Sequence, residues 1–129
     1  MKNRPDKIII HCSDSTWGDA AEIDKWHRQR GFERIGYHYV ITRDGTIEAG
    51  RHVQDHGAHC KGQNTNSIGI CLIGKMQFEK IQFDVLEGFL LLLCKVYNID
   101  HKHIYGHYEF SQKTCPNFSV EKFLEERCI

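Results

Sequence analysis

The sequence predicts a single α/β domain in which a mixed central β-sheet is flanked by helices. Short runs rich in β-branched residues alternate along the chain with longer segments whose apolar residues recur at helical spacing. The chain has 129 residues, of which 40% are hydrophobic and 26% charged, as in an ordinary compact domain. It contains two prolines and no repeat or low-complexity tract, so we expect one catalytic domain over residues 1–129.

The first part of the chain predicts a strand, a helix and a hairpin. Lys7–His11 contains three consecutive isoleucines, which is typical of a strand buried on both faces. Apolar residues recur at helical spacing over Asp19–Arg30, and Gly31 follows as a stop signal. Tyr37–Thr42 and Thr46–Ala49 flank an Asp-Gly pair, which favours a tight turn between two antiparallel strands.

The second part predicts a loop, two strands and two helices. Gly57–Asn66 is rich in Gly, Asn and His without a period, whereas Ser67–Ile73 is typical of a buried strand. Phe83–Tyr97 carries the longest helical stripe, and because it is apolar nearly all round we expect a central helix. Ile104–His107 predicts a short strand, and a final amphipathic helix is expected from Val120 onwards.

Charge and hydropathy exclude several classes of partner. Lys and Arg number 17, as do Asp and Glu, so no net field favours binding to nucleic acid. No apolar run approaches the ~20 residues of a membrane helix, and no secretion signal precedes the first strand. We therefore expect a cytoplasmic monomer that does not insert into membranes. The six cysteines are expected to be reduced thiols or ligands.

Three side chains from separate segments suggest an open zinc site. His11 ends the first strand, and His107 ends the strand that begins at Ile104. Cys115 follows eight positions later, and Pro116 restrains its backbone towards an extended conformation. Two imidazoles and a thiolate suit a borderline-soft ion, and catalytic zinc sites use three protein ligands with the fourth position open.

Seven motifs, in this order along the chain, resemble the zinc N-acetylmuramoyl-L-alanine amidases, a family that includes amidase-type bacteriophage lysozymes and is related to the peptidoglycan recognition proteins. The resemblance extends from about Ile8 to Phe123 and rests on the following motifs: Ile10-His11-Cys12-Ser13, Trp26-His27, Gly36-Tyr37-His38-Tyr39, Arg43-Asp44-Gly45-Thr46, Gly57-Ala58-His59, Asn66-Ser67-Ile68-Gly69-Ile70, and His107-Tyr108-Glu109 through Lys113-Thr114-Cys115-Pro116.

The resemblance implies a reaction and a set of site residues. Zn²⁺ would be held by His11, His107 and Cys115, with Tyr37 and Lys113 as the catalytic side chains. The reaction would be hydrolysis of the amide between N-acetylmuramic acid and L-alanine in bacterial peptidoglycan. An ammonium beside the metal can stabilise an oxyanion, and a tyrosine can donate a hydrogen bond to it or pass a proton. Such an enzyme would act on the cell wall after its release from the cytoplasm.

The other histidines and one asparagine have competing interpretations. His59 and Asn66 are expected to contact substrate, His59 because the family lines its substrate groove with the Gly-rich loop; the alternative for Asn66-Ser67 is to cap the entry to the next strand. His27 is expected to pack beside Trp26, and His38 to point away from Tyr37 by strand alternation. A second ligand set, His101, His103 and His107, is conceivable if that segment is extended.

Two other functions compete with a zinc amidase. Peptidoglycan recognition proteins that lack the metal cysteine bind muropeptides without cleaving them, and the presence of Cys115 argues against that alternative. A thiol hydrolase that uses Cys115 and His107 would need no metal, so it would survive chelation and lose activity on thiol alkylation.

Overall fold

The computed structural model describes residues 2–129, which form one mixed five-stranded sheet with three helices. The strands are β1 (Lys7–Cys12), β2 (Tyr39–Ile41), β3 (Ile47–Ala49), β4 (Ser67–Leu72) and β5 (Ile104–Gly106). The helices are α1 (Ala20–Gln29), α2 (Lys80–Tyr97) and α3 (Val120–Glu126), with 3₁₀ turns at His101–His103 and His107–Glu109. The predicted fold class and the order of its elements are confirmed.

The sheet order is β3-β2-β4-β1-β5, and only the β2–β3 hairpin is antiparallel. β1 lies between two parallel neighbours, pairing from Lys7 opposite Ser67 to Cys12 opposite Leu72 on β4, and with β5 on its other side. Because parallel strands end at the same edge of a sheet, the residues that follow β5 come close to the end of β1. This topology brings His11 and His107 together.

Alternation along β1 divides its side chains between two layers. Ile8 and Ile10 join the larger core cluster, which includes Leu86 and Leu90 of α2 and residues of α3. His11 faces the opposite side, where the smaller cluster around Ile23 of α1 packs against the sheet. The metal-ligand candidate therefore lies on the α1 face of a rigid central strand.

Local sequence signals explain the start of α1 and the hairpin turn. The Asp19 side chain caps α1 by accepting a hydrogen bond from the backbone N–H of Glu22 at 2.9 Å. Gly45 adopts φ +86° between β2 and β3, a conformation that glycine reaches without a steric cost.

Two expectations are corrected. Helix α2 is not central, because Leu92 and Val96 are 54% and 61% exposed and only one face packs against the sheet. His107 does not end a strand: β5 stops at Gly106, and His107 begins the next 3₁₀ turn. Within residues 2–129, no helix has the length and apolar character needed to span a bilayer.

Candidate metal centre and groove

His11, His107 and Cys115 form a cluster at the carboxyl ends of β1 and β5. One potential ligand atom from each residue lies within 4.8 Å of the other two. His11 is 1% exposed, whereas His107 and Cys115 are partly exposed. The structure thus brings together the three residues that the sequence predicts as metal ligands, one from a strand, one from a turn and one from a loop.

Backbone hydrogen bonds fix the segment that carries Cys115. The N–H of Cys12 donates to Cys115 Sγ at 3.0 Å, and the N–H of Tyr108 donates to the Cys115 carbonyl at 2.9 Å. The carboxylate of Glu109 accepts a hydrogen bond from the N–H of Gly106 at 2.8 Å, which closes the turn after β5. These contacts hold the thiol and the His107 imidazole in place before any ligand binds.

The electrostatic environment keeps both imidazoles neutral. Burial, followed by repulsion from His59 and His107, lowers the pKa of His11 well below its usual value. Burial and then the nearby Lys113 ammonium lower the pKa of His107. A metal binds the neutral form of histidine, so each ring is already in its ligating protonation state near neutral pH.

This donor set fits zinc. Two neutral imidazole nitrogens and one sulfur lie close enough to share a single ion, and partial exposure of His107 and Cys115 leaves one side open to solvent. Three protein ligands with an open fourth position distinguish catalytic from structural zinc sites. The alternative set with His101 and His103 is wrong, since those residues lie in a separate 3₁₀ turn and do not join the cluster.

The cluster opens onto a groove made of two adjoining cavities of about 600 and 500 Å³. Four residues line both cavities and so mark the middle of the groove: Arg30, Tyr37, His107 and Lys113. Cys115 lines the first cavity and His59 lines the second. A linear substrate that fills both cavities would therefore pass directly over the cluster.

Tyr37 and Lys113 flank the three candidate ligands. The Tyr37 ring lies 5.0 Å from the His11 ring, centroid to centroid. Burial, followed by the nearby cysteine thiols, raises the pKa of Tyr37 well above its usual value, so its hydroxyl remains protonated. Lys113 is exposed, and its ammonium contributes to the lowered pKa of His107. The groove thus presents a neutral hydrogen-bond donor and a cation beside the ligands.

The structure places the two predicted substrate-binding residues differently. His59 lines the groove but is only 8% exposed, and both of its ring nitrogens have partners inside the protein, namely His11 and Ser67. Asn66 is not among the residues that line the groove. At φ +60° it ties down the N-terminal segment, accepting a hydrogen bond from the N–H of Arg4 at 3.0 Å. The expectation that Asn66 contacts substrate is therefore corrected.

His27 and His38 are buried, as expected, and the His27 ring lies against Phe32 and Tyr37, whereas its packing beside Trp26 stays a prediction. His27 is 7% exposed and accepts a hydrogen bond from the N–H of Gly36 at 2.9 Å. His38 is fully buried, with Nδ1 accepting from the N–H of Gly69 at 3.0 Å. Both are packed structural residues rather than ligands.

Sequence reasoning missed Arg30 and Asn64 in the groove lining. Arg30 follows α1 as its C-cap, where a basic residue is usual and signals only helix termination. Asn64 lies inside the loop predicted as irregular, and nothing in its sequence context shows which way it faces.

Comparisons with known proteins agree with this geometry. A family model described as N-acetylmuramoyl-L-alanine amidase matches residues 1–118. The endolysin of Escherichia phage T7 is 36% identical over 137 residues, an alignment that covers 98% of this chain and 89% of the phage protein. The solved structure of N-acetylmuramoyl-L-alanine amidase LysC from Clostridium intestinale superposes with a TM-score of 0.89 at 30% identity, covering 98% of this chain and 87% of that one. Wild-type PGRP-LB from Drosophila superposes with a TM-score of 0.77 at 27% identity, covering 97% and 80% of the two chains.

Proposed function

The chain belongs to the N-acetylmuramoyl-L-alanine amidase family and is a cell-wall amidase, and on that premise we propose that it uses zinc held by His11, His107 and Cys115. The proposed reaction is hydrolysis of the amide between the lactyl group of N-acetylmuramic acid and the L-alanine of the stem peptide. The observation that carries the proposal is the His–His–Cys cluster at the middle of an open groove.

Each proposed role follows from the position of a side chain. When bound, zinc supplies a Lewis acid that polarises a carbonyl and makes water acidic enough to react near neutral pH. Lys113 places a positive charge where the carbonyl oxygen of the substrate becomes negative. Tyr37 keeps its proton and can donate a hydrogen bond to the same oxygen or pass that proton to the leaving nitrogen.

The groove supports the choice of a polymeric substrate. Its two cavities leave room for substrate on both sides of the cluster, as required when the cleaved bond joins a glycan to a peptide. We propose that one cavity holds the sugar and the other the first residues of the stem peptide. We further propose that the protein is a monomer, acts without nucleic acid or membrane insertion, and meets the wall after release from the cytoplasm.

The two competing functions fit the site less well. A recognition module needs the groove but no ligand set, whereas here all three ligand candidates converge. A thiol hydrolase needs a reactive thiolate, but a hydrogen bond with the Cys12 side chain and burial raise the pKa of the Cys115 thiol. Zinc binding would lower the pKa of the Cys115 thiol, because the metal binds the deprotonated sulfur.

Digestion of purified peptidoglycan tests the proposed reaction. Mass spectrometry should show stem peptides with a free L-alanine amino terminus and glycan strands that retain their lactyl groups. Release of reducing sugars in place of free peptides would contradict an amidase. The matched pair of variants is Cys115→Ser and Cys128→Ser, the latter at an exposed thiol near the C-terminus. Only the first should lose activity and bound zinc, because a neutral hydroxyl is a poor substitute for a thiolate ligand.

A further inference from the structure

A chain of hydrogen bonds runs from the candidate ligand His11 into the protein interior. His11 Nε2 lies 2.8 Å from His59 Nδ1, and His59 Nε2 lies 3.0 Å from the Ser67 hydroxyl. The Ser67 hydroxyl in turn lies 3.5 Å from the backbone carbonyl of Asn64. His11, His59 and Ser67 are each at most 8% exposed. Bulk water therefore does not replace the partners of the His59 ring and the Ser67 hydroxyl.

The end of this chain sets its direction. A carbonyl oxygen only accepts hydrogen bonds, so the Ser67 hydroxyl donates to Asn64 and accepts from the Nε2–H of His59. His59 Nδ1 then carries the lone pair and accepts a hydrogen bond from the Nε2–H of His11. With this direction, the His11 proton lies on Nε2 and Nδ1 carries the lone pair.

The opposite direction is unfavourable at the other end of the chain. If Ser67 donated to His59, then His59 would donate to His11 Nε2, and the His11 proton would lie on Nδ1. Within the described residues, His11 Nδ1 has no hydrogen-bond acceptor. A proton there would have no protein acceptor and would block the only ring nitrogen of His11 that remains available to a metal.

The residues around the His59 ring favour its contact with His11. A Cβ atom at Gly69 would lie 2.6 Å from His59 Cγ, and one at Gly57 would lie 2.4 Å from His59 Cδ2. The Asn64 side chain accepts hydrogen bonds from the N–H groups of His59 and Cys60 at 2.7 and 2.9 Å. Two glycines and an asparagine thus hold the ring edge-on to His11, with centroids 4.9 Å apart at 88°.

We propose that His59 and Ser67 are positioning residues that fix the tautomer of His11, so that Nδ1 is the lone pair presented to the metal. The role of His59 and Ser67 in metal binding rests on the proposed function, whereas the His11 tautomer is a property of the metal-free protein. Partners of this kind orient metal-binding histidines, and their loss typically lowers metal affinity about 10–100-fold.

Nitrogen NMR of histidine in the metal-free full-length protein tests the tautomer directly. Long-range proton–nitrogen correlations distinguish a protonated ring nitrogen from a lone-pair nitrogen. We expect His11 and His59 both to carry their proton on Nε2. His38 is an internal reference, since its Nδ1 accepts from the N–H of Gly69 and its Nε2 donates to the Asp55 carbonyl. A proton on His11 Nδ1 would overturn the proposal.

The Ser67→Ala variant tests the coupling to metal binding. Loss of the hydroxyl should mix the tautomers of His59 and His11, leave the His38 spectrum unchanged, and weaken zinc binding about 10–100-fold in a competition titration. Ser67→Thr restores the hydroxyl and should restore both readouts. If Ser67→Ala fails to fold, His59→Asn, which keeps an acceptor near the Nδ1 position, should retain more zinc affinity than His59→Phe.

The failures of the two proposals are distinguishable. If the His11 tautomer is as expected but the protein binds no zinc, the zinc mechanism fails and the tautomer assignment stands. If zinc binds with unchanged affinity in Ser67→Ala and the His11 tautomer is also unchanged, the positioning role is overturned while the zinc mechanism survives.

Discussion

The backbone N–H of Cys12 donates a hydrogen bond to Cys115 Sγ at 3.0 Å, across 103 residues of sequence. This contact joins the end of the central strand β1 to the loop before α3. An N–H directed at sulfur favours the thiolate form, which binds a metal, and so partly offsets the Cys12 side chain and the burial that raise the pKa of Cys115. The same contact thus fixes the position of a proposed ligand and supplies part of the environment that its charge requires.

Replacement of Lys113 by alanine should reduce hydrolysis while leaving zinc bound. Lys113 is exposed in the groove and is not one of the ligand candidates, so its loss should remove a positive charge from the proposed position of the substrate carbonyl without disturbing the fold. Loss of one oxyanion donor costs on the order of 10²–10³ in rate in other hydrolases. Peptide release from purified walls measures the effect, and Lys122→Ala on the exposed face of α3 is the control. A Lys113→Ala enzyme with full activity would remove this residue from the mechanism.

The Tyr37→Phe variant should retain the fold and the metal but hydrolyse peptidoglycan more slowly, by about 10²-fold or more. The substitution keeps the ring that packs against His11 and deletes only the hydroxyl proton donor. Single-turnover assays on muropeptides, with zinc content measured on the same sample, separate a loss of chemistry from a loss of metal. Tyr105→Phe, near the surface turn that contains His103, is a matched control. Equal rates for the two variants would contradict a role for the Tyr37 hydroxyl.

Two glycine substitutions should have opposite effects on stability. In Gly69→Ala the added methyl would meet the His59 ring at 2.6 Å within a buried strand, so we expect a loss of about 1–3 kcal/mol in the free energy of unfolding. In Gly88→Ala nothing lies within 4 Å of the added methyl, and alanine in helix α2 should add about 0.5–1 kcal/mol. Urea unfolding of the metal-free proteins measures both. A Gly69→Ala protein as stable as the original would show that the ring is not held where the structure places it.

Stability of the metal-free protein should fall as the pH drops from about 6.5 towards 4. Burial, followed by the charges of Arg30 and Arg51, lowers the pKa of His27 from 6.5 to about 4. In this window the unfolded chain binds a proton at His27 that the folded chain does not, so acid favours unfolding.

His27→Asn tests this prediction because an amide oxygen can still accept the hydrogen bond from Gly36. The slope of unfolding free energy against pH should decrease by about one proton, or about 1.4 kcal/mol per pH unit. His101→Asn, at an exposed position, controls for the removal of a histidine. An unchanged slope in His27→Asn would show that His27 does not resist protonation in the folded state.

Sequence patterns predicted most of the helices and strands because each pattern acts on the conformation of neighbouring residues. The isoleucines of β1, the Asp19 cap and the Gly45 turn each act within a few residues, and their elements end within one or two residues of the predicted positions. The exposure of Leu92 and Val96 could not be predicted, since it depends on which face of α2 the sheet covers.

The site was only partly predictable for a similar reason. Residue type and family motifs identified the three ligand candidates, which converge in space as expected. The side-chain environments of His59 and Asn66 depend on contacts between segments far apart in sequence. His59 turns inwards onto His11 because Gly69 on β4 leaves space for its ring, and Asn66 binds the N-terminal segment instead of lining the groove.

The most direct measurement of the central claim is peptide release from purified cell walls by the full chain before chelation, after chelation, and after zinc is added back. Because all three donor atoms belong to one cluster, removal of the metal should abolish hydrolysis without unfolding the sheet, and one equivalent of zinc per chain should restore it. Thiol alkylation of the chelated protein should prevent this recovery, since Cys115 would no longer be a ligand. Full activity in the chelated, metal-free protein would contradict the zinc mechanism.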